Sequence, residues 1–231
     1  MKTKTANPEL WLIEYQKKGI PSSFRDDASG SVKFFSDFLK SKNIFSGRAL
    51  DIGCGTGRNS RYLVKAGFEV TCIDYLKEVI EKILEENKLE GQKKLTAVVH
   101  DIALPWPLMD NQFDIAIDTF CYKHQIPENS KNMYRSELAR VLRKGAKFLI
   151  TMAGVDDGYY SEFLSTSPEK ERNVIIDPEN NIASILYTKQ DIIQEFEENF
   201  QLVLYEHKQK NSKMHNKNYY RSTHIFIFKR R

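Results

Sequence analysis

Nine residues, Ala49-Leu50-Asp51-Ile52-Gly53-Cys54-Gly55-Thr56-Gly57, constrain this chain more than any others. An apolar run ends in three alternating glycines, and a helical pattern opens at Arg58. Glycine accepts positive φ and lets a ligand approach the backbone with no Cβ in the way. The first turn of the helix that follows offers unpaired N–H groups. Buried strand, glycine turn and helix in that order predict an α/β unit with a ligand at the turn.

Spacing narrows the choice of ligand. A dinucleotide fingerprint needs G-x-G-x-x-G, with the pyrophosphate on the helix N-terminus. Counted from Gly53, its third glycine would fall at Arg58. The run is instead G-x-G-x-G, and Asp51 precedes it. A buried carboxylate there repels a diphosphate and suits a ligand carrying an ammonium group.

On Asp51, Gly53, Gly55 and Gly57 the segment resembles the first motif of class I S-adenosylmethionine-dependent methyltransferases. The resemblance covers roughly residues 45–152, and the rest more loosely. It implies S-adenosylmethionine as cofactor, S-adenosylhomocysteine as product, and cofactor contacts at Asp51, Gly53, Cys54, Gly55 and Gly57. A second apolar strand, Glu69 to Asp74, ends in an acid. A carboxylate there can accept both hydroxyls of a ribose; Asp74 also reads as a cap for the next helix. Tyr75 follows it. In the family, the acid and apolar residue after strand three face the adenine, and Asp101 and Ile102 match them. Strand four runs from Gln112 to Asp118, and Asp118 with Thr119 is expected to border the transferred methyl.

Patterning fills in the fold. Val32, Phe35, Phe38 and Leu39 share one helical face. The helix after the glycine loop ends near Gly67. Leu76, Val79, Ile80, Ile83 and Leu84 make a helical stripe that Gly91 closes. A later helix is expected from about Ser130 to Lys144, with Gly145 ending it and Ala146 to Met152 as strand five. Thr188 and Asp191 form a capping pattern for a helix bearing Ile192, Ile193, Phe196 and Phe200. Gln201 to His207 and Thr223 to Lys229 read as an antiparallel pair, because no helix separates them. Nearly all-apolar strands alternating with helices mean a parallel sheet covered on both faces. The expected fold is α/β: a Rossmann-like seven-stranded mostly parallel sheet, a C-terminal antiparallel hairpin and an N-terminal helical lid.

Composition bounds the setting. Charged residues are 29% and apolar ones 41%, an ordinary globular balance. A formal charge of +4 does not mark the whole chain as a nucleic-acid binder. Three cysteines without a framework, no signal-like apolar run and no membrane-length stretch place the protein in the cytoplasm. No C-x-x-C or H-x-x-x-H spacing exists, so no metal is expected.

Acceptor chemistry leaves a fainter mark, because methyl transfer depends mainly on alignment. Asp118-Thr119-Phe120-Cys121-Tyr122-Lys123-His124-Gln125 follows strand four. It resembles the matching segment of small-molecule methyltransferases similar to the thiopurine and tellurite enzymes, which often carry an acid, a cysteine and a histidine pair. Asp118, Cys121 and His124 match, while Lys123 stands where the first histidine would be. His124 is the candidate base, or else it satisfies a backbone carbonyl and shapes the pocket. Tyr122 either walls the pocket or packs beneath it. Cys121 lines the pocket without acting as a nucleophile.

Two segments compete for the role of lid. Trp11 to Gln16 is aromatic and amphipathic, with Tyr15 its candidate pocket residue. The stretch from Val155 to Tyr187 is too long for a plain loop and carries Tyr159, a further pocket candidate, with Tyr160 and Phe163. Lys208, Lys210, Lys213, Lys217 and Arg221, with Tyr219 and Tyr220, read as a solvated basic loop or a nucleic-acid contact over 208–221. No Asn-Pro-Pro-Tyr-like element follows strand four, against methylation of base amines.

The chain is therefore expected to be one methyltransferase domain: a cap over 1–45, a cofactor core over 46–152, an insert over 153–187, and a helix with hairpin over 188–231. Its expected activity is methyl transfer to a small-molecule acceptor. An RNA or protein methyltransferase, a nucleotide-dependent oxidoreductase and a non-catalytic cofactor-binding protein are the alternatives.

Overall fold

A computed structural model describes residues 7–89 and 94–231. The chain begins with helices α1 (Pro8–Lys17), α2 (Pro21–Phe24) and α3 (Gly30–Ser41). Strands and helices then alternate: β1 (Gly47–Ile52), α4 (Arg58–Lys65), β2 (Phe68–Asp74), α5 (Lys77–Leu89), β3 (Leu95–Val99), β4 (Phe113–Thr119), α6 (Glu128–Val141) and β5 (Leu142–Ala153). A short helix α7 (Ser161–Leu164) and a small hairpin, β6 (Val174–Ile176) with β7 (Ala183–Ile185), follow. Helix α8 (Lys189–Phe196) leads into the long strands β8 (Phe200–Met214) and β9 (Lys217–Arg230).

The main sheet has seven strands in the order β3-β2-β1-β4-β5-β9-β8. The first five run parallel, and β9 is antiparallel to both β5 and β8. Successive residues of a strand face opposite ways. Leu50, Ile52, Ala116, Phe148 and Ile150 therefore pack on one side, against Tyr134 and Leu138 of α6 and Phe196 of α8. Ala49, Val70, Cys72, Ile115 and Leu149 pack on the other, against Val32, Phe35, Leu63 and Ile80. Apolar residues at both parities are what a doubly covered parallel sheet demands. Chain order reverses at β1, which lies between β2 and β4, so a crevice opens at the carboxyl ends of these strands.

Several boundaries differ from the sequence expectation. Helix α6 ends at Val141, not near Lys144, because Leu142 is already extended and pairs with Phe113. Gly145 sits inside β5 at φ 84°, beside a register shift between Phe113 and Ile115, and does not cap a helix. Phe200 opens β8 rather than closing α8. Leu84 is exposed, at the margin of the α5 stripe whose Val79, Ile80 and Ile83 are buried. The expected stop at Gly91 lies outside the described residues.

The largest correction concerns the basic run. It is not a loop: Lys208 to Met214 and Lys217 to Arg221 continue the β8–β9 ladder. Only His215 and Asn216 turn, at φ 45° and 65°, the paired positive values of a tight hairpin whose twist matches its strands. The His215 N–H donates to the Gly19 carbonyl at 2.9 Å, so the hairpin tip rests on the end of α1.

The expected cap of α8 is present. Thr188 accepts from the Asp191 N–H at 3.2 Å, and Asp191 accepts from the Thr188 N–H at 2.8 Å. Thr188→Ala should cost about 1 kcal/mol, read as a melting point lower by roughly 2–4 °C for a chain this size. Among the described residues no helix is long and apolar enough to cross a membrane.

Candidate active site

A cavity of about 190 Å³ lies at the carboxyl ends of β1, β2 and β4. Gly53, Cys54 and Thr56 of the glycine loop line it, with Asp74 and Tyr75 after β2, Asp101 and Ile102 after β3, and Thr119, Phe120 and Cys121 after β4. Trp11 and Tyr15 of α1, Tyr160 and Asn180 of the insert, and Met214 and Arg221 of the hairpin supply further walls. Both segments expected as lids thus reach the cavity.

All three glycines of the loop hold positive φ, and two of them meet close neighbours across the loop. Gly53 has φ 65° and Gly55 φ 52°. A Cβ on Gly53 would run into the Cys121 thiol, and one on Gly55 into the Tyr15 hydroxyl. Backbone bonds pin the turn to β2: the N–H groups of Gly53 and Cys54 donate to the Ile73 carbonyl at 2.9 and 3.1 Å. The Gly55 N–H donates to Asp74 Oδ2 at 2.9 Å, and the Leu76 N–H to Oδ1 at 3.0 Å. Asp74 therefore caps the next segment and faces the cavity at once. Burial raises its carboxyl above the usual range, opposed by these backbone donors.

Two other strand-end acids lie behind the cavity surface. Asp51 is fully buried on β1, where Ser60 Oγ donates to Oδ2 at 2.6 Å and Oδ1 has no partner among the described residues. Burial pushes it up to about 7, against the Ser60 bond. Asp118, expected beside the methyl, does not line the cavity. It is fully buried and accepts from the N–H groups of Cys121 and Tyr122 at 2.8 and 2.9 Å and from the Tyr134 hydroxyl at 2.7 Å. Burial pushes it, too, up to about 7. The carboxylate shapes the turn that presents Thr119, Phe120 and Cys121. Gly55 and Gly57 are likewise absent from the cavity wall, Gly55 lying under Tyr15.

Two aromatic expectations are corrected. Tyr122 does not line the cavity: it is fully buried among Tyr134, Tyr187 and Phe196, and its hydroxyl bonds Glu195 and Arg135. Tyr159 is buried too, donating to Asp177 Oδ1 at 2.7 Å, and the adjacent Tyr160 takes the cavity position.

His124 lines the cavity, but its chemistry fits a wall better than a base. Its Nδ1 lies 2.8 Å from the Ala183 carbonyl, so that nitrogen carries the hydrogen and Nε2 is left as an acceptor. Trp11 meets the ring edge-on at 4.9 Å. Burial, and then Lys123 beside it, lowers His124 to about 3. Such an imidazole is neutral at pH 7 and a poor proton acceptor.

The sequence reading missed several lining residues. Phe120 holds φ 69°, a conformation costing about 1–3 kcal/mol in a non-glycine residue, and its N–H donates to the Thr151 carbonyl at 3.0 Å. His100 lines the cavity beside Asp101 and the expected Tyr75, and among the described residues His100 Nε2 and Tyr75 OH are buried polar atoms without partners. Arg58, Asn59, Ser184 and Arg221 line it as well. A backbone φ and a contact across the sheet leave no local signature.

Spacing rules also missed a cluster outside the cavity, where Asp156, His207 and His224 bring ligand atoms within 4.8 Å of one another. The two imidazoles stack at 4.7 Å and 3°, leaving their lone pairs in parallel planes rather than converging. Ser222 Oγ and Tyr205 OH each engage one ring nitrogen.

Known proteins resemble the chain in both sequence and fold. A family described as a methyltransferase domain matches residues 49–145. The probable S-adenosyl-L-methionine-dependent methyltransferase TehB of Haemophilus influenzae is 31% identical over 90 residues, covering 37% of this chain and 30% of that protein. The malonyl-[acyl-carrier protein] O-methyltransferase of Pectobacterium atrosepticum is 32% identical over 159 residues, covering 64% of this chain and 57% of that protein. The chain thus spans under two thirds of either relative. A solved S-adenosylmethionine-dependent methyltransferase from Methanosarcina mazei superposes with a TM-score of 0.72 at 20% identity, covering 88% of this chain and 98% of that one.

Proposed function

We propose that this chain, a class I S-adenosylmethionine-dependent methyltransferase by its fold and by its methyltransferase-domain match over residues 49–145, moves a methyl group onto a small acceptor held in the same cavity. One observation carries the reading. A single cavity runs from the glycine loop and Asp74 to Tyr160 and Arg221, and α1 and the hairpin contribute to its walls. Cofactor and acceptor would then lie side by side in one continuous recess.

The cofactor supplies a sulfonium-activated methyl that needs no further activation by the protein. Residues around it bind and align. The glycine loop takes the methionine end, with Asp51 behind it as the charge opposite the ammonium. Asp74 accepts the ribose hydroxyls on lone pairs its backbone donors leave free. Tyr75 and Ile102 hold the adenine faces, and Asp101, Tyr75 OH and His100 Nε2 are polar partners for its edge and the ribose. Thr119 and Cys121 border the methyl. His124 offers Nε2 as an acceptor that orients an O–H or N–H, while the Ala183 bond fixes its ring. Tyr15 closes the loop from above, excluding water and holding the acceptor in line, an arrangement that supplies on the order of 7–11 kcal/mol of the barrier. The 1–45 and 153–187 segments act with the hairpin as the cap of one domain. Three free thiols suit a reducing cytoplasm.

Two residues of the basic run are engaged within the protein rather than free to track a nucleic-acid backbone. Lys208 lies over the Phe34 ring at 4.5 Å, and Arg221 binds Asp157 inside the fold.

Two experiments test the proposal. Incubation with S-adenosylmethionine and a panel of small O, N and S nucleophiles should yield S-adenosylhomocysteine with some acceptors and not without them. Cofactor binding with no product from any of them would favour a non-catalytic binding protein. The second uses pH. Free Asp51 titrates at about 7 and a bound ammonium favours its ionised form, so its pKa falls on binding and a proton leaves. Affinity for S-adenosylhomocysteine should then be level above pH 7 and fall below it, by up to about tenfold per pH unit. Calorimetric titration across that range checks this, and Asp51→Asn should flatten the profile.

A further inference from the structure

Lys123 is the least explained residue of the cavity. It sits on the 3-10 turn Tyr122–His124 and is 1% exposed. It lines the cavity, and among the described residues its Nζ has no hydrogen-bond partner. That ammonium lies 3.8 Å from the centroid of the Tyr160 ring. Arg221 reaches the same ring from β9, its Cζ 5.0 Å from the centroid. Two cations thus converge on one aromatic ring in the cavity wall.

Among the described residues only Arg221 of the two is in a direct ion pair. Arg221 Nε donates to both oxygens of Asp157 at 2.9 and 2.8 Å, and Asp157 also accepts from the N–H groups of Ser222, Tyr159 and Tyr160. Asp177 accepts from Tyr159 OH and the Glu179 N–H on Oδ1, and its Oδ2 faces His215 Nε2 at 3.5 Å. Glu14 is engaged by the Ile20 N–H and Asn180. Burial, then Arg221 nearby, lowers Lys123 to about 7, opposed by the Asp157 and Asp177 carboxylates. Acids are present at this end, but among the described residues none reaches Lys123 Nζ within hydrogen-bond distance.

We propose that Lys123 and Arg221 form an anion seat, and that the methyl acceptor is an acid whose carboxylate docks on Lys123 Nζ against the Tyr160 ring. The methyl-transfer reading decides only that this ligand is the acceptor; the seat itself is testable without turnover. A docked carboxylate pairs the Lys123 ammonium, so the seat discriminates acids from their uncharged amides.

The test is a thermal melt of the full chain, with and without S-adenosylhomocysteine. The probes are acetate and benzoate at millimolar concentration, with acetamide and benzamide as uncharged partners. A ligand at about ten times its Kd should raise the melting point by roughly 3 °C. Benzoate or acetate should do so and their amides should not. Lys123→Met should abolish that response while keeping the response to S-adenosylhomocysteine, and Lys123→Arg should retain both. No response to either acid, equal responses to acid and amide, or an acid response surviving in Lys123→Met would overturn the seat. Loss of the S-adenosylhomocysteine response alone would sink the methyl-transfer reading and leave the seat standing.

Discussion

Asp74→Ala is expected to weaken S-adenosylmethionine binding by about 1.5–3 kcal/mol, the range for a hydrogen bond to a charged group, or roughly 10- to 150-fold in Kd. The carboxylate works in two directions. It holds the Gly55 and Leu76 N–H groups, and so fixes the glycine turn against the start of the next segment. It also faces the cavity, where a ribose would take its remaining lone pairs. Asp74→Asn separates the two duties, since an amide oxygen still accepts one backbone donor. Its affinity should fall between those of the parent and the alanine variant. Calorimetry on both, with melts to show that each is folded, decides the matter. Unchanged affinity in a folded Asp74→Ala would remove the ribose assignment.

Asp118→Ala should be the most destabilising single change near the site, by about 3–5 kcal/mol, as for removal of one partner from a buried charged network. Its carboxylate is the acceptor for two backbone N–H groups and the Tyr134 hydroxyl, all in the core. Truncation strands those donors where no water reaches. Part of the loss is offset, because the buried carboxyl is itself costly and titrates at about 7. That shift has a sign: folded Asp118 binds its proton more tightly than unfolded chain does. Its share of stability is therefore greatest below about pH 4 and is lost as pH rises through 7. A melt of Asp118→Ala at neutral pH should lie roughly 10 °C below the parent, and Asp118→Asn much closer to it. A shift within experimental scatter would show that the turn after β4 does not depend on this residue.

How much of the site was legible depends on the range of the interaction that places each residue. The Gly53–Gly57 turn and Asp74 lie at strand ends, and a strand end is a local event readable from periodicity, whereas Asp101 and Ile102 come from the family resemblance. The fate of Tyr122 was not. It and Lys123 are neighbours on one tight turn, yet the tyrosine enters the core and the lysine enters the cavity. Which goes where depends on Glu195 and Arg135, more than ten residues away in sequence. Tyr159 and Tyr160 part company in the same way, because Asp177 captures the first hydroxyl.

The hairpin extension was illegible for a different reason. Lys208 to Lys213 is polar throughout, so no alternation marks it as a strand. Pairing with Lys217 to Arg221 and the two-residue turn at His215–Asn216 hold it instead. Its consequence is large, since Met214 and Arg221 reach the cavity only because the ladder continues that far. Helix α6 was placed too long because Gly145 looked like a helix stop, whereas the nearby β4 strand captured Leu142 first.

The central claim is that the glycine loop and Asp74 hold S-adenosylmethionine rather than a dinucleotide. Calorimetric titration of the full chain with S-adenosylmethionine and, separately, with NAD tests it most directly. Micromolar binding of the first and none of the second is the predicted result. Binding of NAD, or a folded protein that leaves S-adenosylmethionine unbound, would contradict it.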